Sequence, residues 1–377
     1  MSSKYTVYGS IVIENKIDKD LELIRKTVLK EIPEKDLSAV ILGGGYGRGE
    51  GGVLFDGDNE LTFNDYDFFV ITPKLSSAMK KHYSSIFYKL HKELTPKIGI
   101  DVDFGPIVFE NTIPNIPFSL MWFELKYGHI VIYGNKNILQ PLPEYKGNNI
   151  PLAEALNLLL NRASGLVFAE KKILSDKTNS QEDIEFIIRN IMKARIAAGD
   201  ALLMTNRTYD HSYVRRVELL KKIKDKPIIR ENNFFGIYSE AMEYKLKPEH
   251  KKFVDAGLEK VFTETKNIYR EIYLYTFSKY FNKSLNNFDE YLSALKKEKK
   301  TRSLKQLAKN FILNFMFDRF KHPIPDVYFR YPRFRLFFSI PYLLFSRPFD
   351  NELRKMLSAD TDEKIYENYV KLWNRFN

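Results

Sequence analysis

The strongest constraint on this fold is a cluster of glycines, because seven of the ten residues from Gly43 to Gly52 are glycine. They follow the apolar run from Ala39 to Leu42, which has the length of a buried strand. So many glycines predict an irregular turn with accessible backbone N–H groups. Such groups can bind phosphate oxygens, and Arg48 could add a charge-assisted contact. Taken alone, a turn of this kind is equally typical of tight turns without a ligand.

Acidic residues alternate with apolar ones in two later segments. Asp65 and Asp67 lie two residues apart on a predicted strand, so their side chains should project from one face, about 6–7 Å apart. Asp101 and Asp103 repeat this arrangement on another predicted strand. If the strands are neighbours, one residue of the second pair would join the first pair. Carboxylate oxygens are the ligands that Mg²⁺ prefers, so the pattern predicts a magnesium site.

The order of predicted elements indicates an α+β fold. Residues 1–145 combine predicted helices with predicted strands, which favours a mixed β-sheet flanked by helices. The helices are predicted at 18–31 and 75–94, and the strands at 65–72, 99–109 and within 121–134. A Pro/Asn/Gly-rich stretch then precedes segments with helical apolar spacing. We therefore expect an all-α helical-bundle domain at 150–290, followed by a basic, aromatic-rich helical segment at 291–377.

Several of these features occur together in one known superfamily. Gly44-Gly45, Arg48-Gly49, Asp65-Tyr66-Asp67 and a later acidic strand resemble, in order and residue type, the signature of the DNA polymerase β-like nucleotidyltransferases. The resemblance covers about residues 37–110 and extends to stand-alone members with a helical C-terminal domain. In two respects the sequence departs from it: Gly45 stands where many relatives have serine, and the spacing from Gly45 to Asp65 is longer than in compact members.

The resemblance implies specific roles. Gly44 and Gly45 would form the nucleotide-binding turn, and Asp65 and Asp67 would coordinate two Mg²⁺ ions, with Mn²⁺ as an alternative. The third carboxylate would be Asp101, since the family's residue often lies several positions before a proline; Asp103 stays open as the alternative. The implied activity transfers a nucleoside monophosphate from an NTP, such as ATP, to an acceptor and releases pyrophosphate. The acceptor would be a small molecule, a sugar phosphate or a lipid-linked glycan.

A helical domain in this family commonly contributes a cation to the cleft. Lys193 is a candidate, because it lies in an otherwise apolar predicted helix. Its alternative role is an internal ion pair with Asp200. Two other functions also stay open for the whole chain: a toxin-like nucleotidyltransferase that modifies tRNA or a protein, and a catalytically silent module that binds nucleotide or RNA.

Charge and composition limit partners and location. The chain carries a formal net charge of +11, and residues 151–377 hold the whole excess, with 42 Lys+Arg against 29 Asp+Glu. The basic run 296–305 and the arginine- and aromatic-rich segment 328–349 could bind RNA or an anionic membrane surface. The absence of cysteine excludes thiolate metal sites and fits a reducing compartment. With no signal peptide and no apolar stretch near the ~20 residues of a transmembrane helix, we expect a cytoplasmic protein, with peripheral membrane contact as an option.

Overall fold

The computed structural model describes residues 4–175, 180–298, 303–318 and 325–376. Of the basic run 296–305, residues 299–302 lie outside the described residues. In chain order the helices are α1 (Ile11–Glu31), α2 (Gly44–Gly47), α3 (Ser77–Ile98), α4 (Leu120–Tyr127), α5 (Leu152–Ile173), α6 (Gln181–Thr205), α7 (Tyr213–Lys222), α8 (Pro227–Arg230), α9 (Phe234–Leu246), α10 (Lys251–Asp255), α11 (Leu258–Phe281), α12 (Phe288–Lys297), α13 (Leu304–Asp318), α14 (Pro325–Tyr328), α15 (Arg333–Leu343), α16 (Asn351–Leu357) and α17 (Asp362–Phe376). The strands are β1 (Ala39–Leu42), β2 (Val53–Asp56), β3 (Asn59–Thr62), β4 (Tyr66–Thr72), β5 (Val102–Phe104), β6 (Val108–Phe109) and β7 (Ile130–Gly134).

The chain divides into two compact units. The first consists of residues 1–150, 206–223 and 236–249, and the second of residues 151–205, 224–235 and 250–377. This differs from the three consecutive domains expected at 1–145, 150–290 and 291–377. Two segments of the expected helical domain belong to the first unit, and the C-terminal segment belongs to the second. An apolar helix face does not by itself specify which of two cores it will join.

The first unit contains the mixed sheet that the sequence predicted. Its strand order is β5-β4-β1-β7, with β6 also pairing with β4. Strand β1 is antiparallel to β4 and β7, whereas β5 and β6 are parallel to β4. The core beneath it includes Val40, Phe68, Val70 and the apolar face of α1. The predicted α+β class is therefore correct for this unit.

Two local predictions differ from the structure. The segment 121–134 was expected to contain one or two strands, but its first part belongs to helix α4. The Ser119 side chain caps the start of this helix by accepting a hydrogen bond from the Trp122 amide. Only β7 is a strand there. Helix α1 begins at Ile11, earlier than the predicted residue 18, because the Ser10 side chain caps it by accepting from the Val12 amide.

The second unit is helical throughout its described residues. Helices α5, α6 and α11 pack against one another, as the apolar sequences of the first two predicted. Arg195 of α6 donates to Thr265 Oγ1 of α11 at 2.8 Å and pairs with Glu264 at 3.0 Å. Among the described residues, no helix combines the length and apolar character needed to cross a membrane.

Candidate functional site

Strands β4 and β5 bring three carboxylates together. Asp65 directly precedes β4, and Asp67 is its second residue. The parallel register places Asp67 opposite Asp103 of β5. One carboxylate oxygen from each of these three aspartates lies within 4.8 Å of the others. Such a set of oxygen donors fits Mg²⁺ or Mn²⁺, as the sequence pattern indicated.

The third member of this group is Asp103, not Asp101. Asp101 precedes β5 by one residue, and its backbone carbonyl accepts a hydrogen bond from the Tyr66 amide at 2.8 Å. Its exposed side chain is outside the group of three. The preference for Asp101 came from its spacing to a following proline, which carries no information about register. The residue paired with Asp67 is set by how β5 aligns with β4.

Mutual repulsion and burial shape the electrostatics of the group. Burial raises the pKa of Asp67 to about 6, the Asp65 and Asp103 charges add to that rise, and the cations Lys245 and Arg48 oppose it. Burial also raises the pKa of Asp103, together with the charges of Asp65 and Asp101. These carboxylates are therefore closer together than their mutual charge favours, and a bound cation would relieve the repulsion.

One imidazole accompanies the carboxylates. His91 Nδ1, from α3, lies 3.2 Å from Asp103 Oδ1 and 3.1 Å from the Val102 carbonyl oxygen. His91 therefore contacts the Asp103 carboxylate from the side of α3. No sequence pattern indicated this histidine, because it lacks metal-ligand spacing and contacts Asp103 only through the packing of α3 on β5.

The glycine-rich turn borders the same group. The Gly43 amide donates to the Asp67 carbonyl oxygen at 2.8 Å. Gly44 has φ +61°, and a Cβ built on it would lie 2.2 Å from Asp67 Oδ2. A side chain at residue 44 would therefore be strained and would collide with the carboxylate. The turn places the start of α2, where helical N–H groups have no partner within the helix, beside the aspartates.

Arg48, predicted to contact phosphate, is held elsewhere. Its side chain is only 4% exposed, and Nη1 donates to Glu124 Oε2 at 2.9 Å. The guanidinium also lies 4.4 Å from the centre of the Tyr213 ring. Arg216 and Tyr209 donate to the other oxygen of Glu124. Arg48 therefore belongs to a buried ion-pair cluster, and a phosphate contact would require breaking it.

Glu50 gives the turn a second fixed contact. Its carboxylate accepts from Ser212 Oγ at 2.6 Å, from the Tyr213 amide at 2.8 Å and from the Val214 amide at 3.2 Å. These are the groups at the start of α7, where a negative charge is favoured by the helix dipole. Arg48 and Glu50 together attach the turn to residues 206–223, which explains why that segment belongs to the first unit.

One of the two cations that lower the pKa of Asp67 lies far from the acidic strands in sequence. Lys245, on α9, is half-buried, and its charge lowers the pKa of Asp67. Its backbone carbonyl also approaches Gly52, where a Cβ would lie 2.8 Å from that oxygen. Lys193, the predicted cation, is a half-buried residue of α6 in the second unit. No short motif could have identified Lys245, since it lies far from the acidic strands in sequence.

Comparison with known proteins finds a similarity among solved structures. No protein-family model matches the chain, and no curated protein matches it. Among solved structures, it is similar to spectinomycin adenyltransferase AAD(9) from Enterococcus faecialis, crystallised with ATP and spectinomycin. The sequence identity is 13%, the match covers 67% of this chain and 99% of that chain, and the TM-score is 0.39. A likeness of this size assigns neither a fold nor an activity to the chain.

Proposed function

We propose that this chain is a nucleotidyltransferase that moves a nucleoside monophosphate from an NTP to an acceptor and releases pyrophosphate. The observation that carries the proposal is the group of Asp65, Asp67 and Asp103, whose oxygens lie within 4.8 Å of one another. A bound divalent cation would relieve the repulsion between these charges, and the oxygen donors suit Mg²⁺ or Mn²⁺. The adjoining glycine-rich turn supplies what a metal site alone lacks, namely backbone donors for phosphate oxygens.

Each residue has a role that follows from its position. Divalent ions bound here would activate the attacking oxygen of the acceptor and neutralise charge on the triphosphate. Asp65 and Asp67, at the start of β4, would hold the ions together with Asp103 of β5. Gly44 leaves room beside Asp67, because any side chain would occupy that space. The N–H groups at the start of α2 would then be accessible to phosphate oxygens.

We assign the phosphate-binding cation to Lys245 in place of Arg48. Lys245 and Arg48 both lower the pKa of Asp67, but the Arg48 guanidinium is already paired with Glu124. A lysine ammonium is a compact point charge that binds phosphate without a fixed planar partner. That Lys193 of the second unit contacts the nucleotide stays a separate proposal.

The central experiment measures transfer. Each of the four NTPs, radiolabelled at the α-phosphate, is incubated with Mg²⁺ and a cell extract as acceptor source. Wild type is compared with the Asp65→Asn/Asp67→Asn variant. We expect label on a macromolecule or small molecule, together with pyrophosphate, only with wild type and only with the metal. The labelled product then distinguishes a small-molecule, sugar-phosphate or lipid-linked acceptor from tRNA or protein. Equal labelling by folded wild type and variant would contradict the proposal and favour a silent binding module.

A second experiment tests the ligand set. Isothermal titration with Mn²⁺ is carried out on wild type, Asp103→Asn and Asp101→Asn, which remove the same charge two residues apart. Loss of a direct carboxylate ligand should weaken binding at least about tenfold, equivalent to about 1.4 kcal/mol. We expect that loss for Asp103→Asn and an affinity within about threefold of wild type for Asp101→Asn. The reverse ranking would return the third position to Asp101.

A further inference from the structure

Helix α13 in the second unit is oriented against the usual pattern, with polar residues inside and apolar residues outside. Asn310, Asn314 and Asp318, spaced four residues apart, are at most 5% exposed. On the opposite side, Leu304 is 81% exposed and Ile312 is 55% exposed. We define the outer face of α13 as six side chains that share this side: Leu304, Lys305, Lys309, Ile312, Phe315 and Met316.

The inner face is fixed by specific hydrogen bonds. Asn310 Nδ2 donates to the Phe329 carbonyl oxygen at 3.1 Å, and Asn314 Nδ2 donates to the Arg330 carbonyl oxygen at 2.8 Å. Asp318 pairs with Arg335 at 2.8 Å, and both side chains are almost fully buried. Rotating the helix to bury its apolar side would leave these buried polar groups and the buried ion pair without partners, which is strongly unfavourable. The outward apolar face is therefore held in place by the structure behind it.

The outer face also has a definite charge. Lys305 and Lys309 lie on it, and the helix's single acidic residue, Asp318, is on the inner side. Ile312, Phe315 and Met316 are between 39% and 57% exposed. A helix with lysines beside exposed apolar residues has the composition of helices that lie in a membrane interface. Residues 151–377 carry the whole positive excess of the chain, which favours an anionic surface as the partner.

We propose that the outer face of α13 binds an anionic lipid surface. A second copy of this chain fits less well, because two such faces would bring lysines together with no carboxylate on either face to balance them. A lipid surface meets both requirements at once: acyl chains accept the apolar side chains, and anionic headgroups accept the lysines. This inference goes beyond the proposed nucleotidyl transfer and does not depend on it.

Sedimentation with lipid vesicles tests the proposal on the full chain. The vesicles are phosphatidylcholine alone or phosphatidylcholine mixed with phosphatidylserine. We expect wild type to sediment with the mixed vesicles and the Ile312→Ser/Met316→Ser variant to lose at least about tenfold in partitioning, since both side chains are apolar anchors. The matched control is Leu174→Ser/Val254→Ser, which removes two other exposed apolar side chains of the same unit, 73% and 43% exposed. It should bind as wild type does.

The lysines give a second, separable effect. Lys305→Gln/Lys309→Gln should reduce binding to the mixed vesicles by about fivefold per lysine, because each cation near an anionic membrane contributes about 1 kcal/mol. Raising the salt concentration should weaken wild type more than this variant. All variants change exposed positions, and their thermal midpoints confirm folding before binding is measured.

Three outcomes would overturn the proposal. Wild type that fails to sediment with the mixed vesicles, or that binds phosphatidylcholine alone equally well, would exclude an anionic lipid surface. Equal loss of binding in the Ile312→Ser/Met316→Ser variant and its control would show that the outer face has no special role. A concentration-dependent dimer that the Ile312→Ser/Met316→Ser variant abolishes would assign the face to a second copy of the chain.

Discussion

Two charge clusters in the first unit are built in opposite ways, although one turn contributes to both. The carboxylate group gathers Asp65, Asp67 and Asp103, and repulsion with burial raises the pKa of Asp67 to about 6. In the cluster around Glu124, burial alone would raise the carboxyl pKa, but Arg216 and Arg48 outweigh it and hold the pKa at about 2. The Glu124 cluster pairs opposite charges and so should stabilise the fold. The carboxylate group has like charges close together, as expected of the cation site that we propose.

This contrast separates residues that stabilise the position of the glycine-rich turn from residues that form the proposed site beside it. Gly44 touches Asp67, and Arg48, four residues later, pairs with Glu124. Substitutions in the carboxylate group should therefore reduce activity and leave stability intact. Substitutions in the Glu124 cluster should lower the free energy of unfolding and have a smaller effect on activity.

The largest expected effect is the loss of transfer in Asp67→Asn. Removing a ligand shared by the proposed metal ions should lower the rate at least about a thousandfold, or roughly 4 kcal/mol of transition-state stabilisation. The free energy of unfolding should not fall, because the variant removes a carboxylate that its neighbours repel. Initial rates of pyrophosphate release and urea denaturation measure the two quantities. Activity within tenfold of wild type would break the distinction between the clusters.

Glu124→Gln should have the opposite signature. It leaves Arg48 and Arg216 buried without their shared carboxylate, and breaking a buried pair in this way costs about 3–5 kcal/mol. Urea denaturation measures the change in the free energy of unfolding. The control is Glu144→Gln, since Glu144 is 80% exposed and its solvent-screened pair with Lys126 should contribute little to stability. A Glu124→Gln variant as stable as this control would make the cluster a poor explanation for how the turn is held.

Local features of the site could be predicted from sequence, and features that depend on distant partners could not. The glycine turn and the Asp65/Asp67 pair are set by neighbours along the chain, so spacing was enough to indicate them. Choosing between Asp101 and Asp103 needed the register of β5 against β4. Periodicity is silent on register, because both residues lie on the same face of the strand.

The remaining differences between prediction and structure arise because the sequence does not show which distant residue each side chain contacts. Arg48 could be recognised as a cation beside the turn, but not as the partner of Glu124, which arrives from α4. Lys245 reaches the neighbourhood of Asp67 only because residues 236–249 join the first unit. The sequence of α13 also shows that the helix has an apolar and a polar side. Which side is buried depends on its hydrogen bonds to Phe329, Arg330 and Arg335. Each of these needs a tertiary contact that no local pattern records.

Acid should remove the contribution of Glu124 in a defined window. Its pKa is depressed from 4.5 to about 2 in the folded protein, so its stabilisation is fully present above about pH 4.5 and is lost as pH falls toward 2. The difference in free energy of unfolding between wild type and Glu124→Gln should shrink by about 2–3 kcal/mol across that window. Urea denaturation of both proteins at several pH values measures it. A difference that stays constant with pH would mean that the glutamate acts through packing and not through its charge.

The smallest expected effect concerns His91, which we infer to be a positioning residue for Asp103. Its Nδ1 lies 3.2 Å from Asp103 Oδ1, so His91→Asn should loosen that carboxylate without removing it. Transfer should fall about three- to tenfold, in the range expected for a residue that orients a ligand at one remove. We expect the decrease in kcat together with weaker Mn²⁺ binding, while KM for the NTP stays near its wild-type value. The matched control is His82→Asn, an exposed histidine of the same helix, which should change neither quantity. A rise in KM with kcat and Mn²⁺ affinity unchanged would instead place His91 in nucleotide binding, and the carboxylate group would then owe its geometry to the register of β4 and β5 alone.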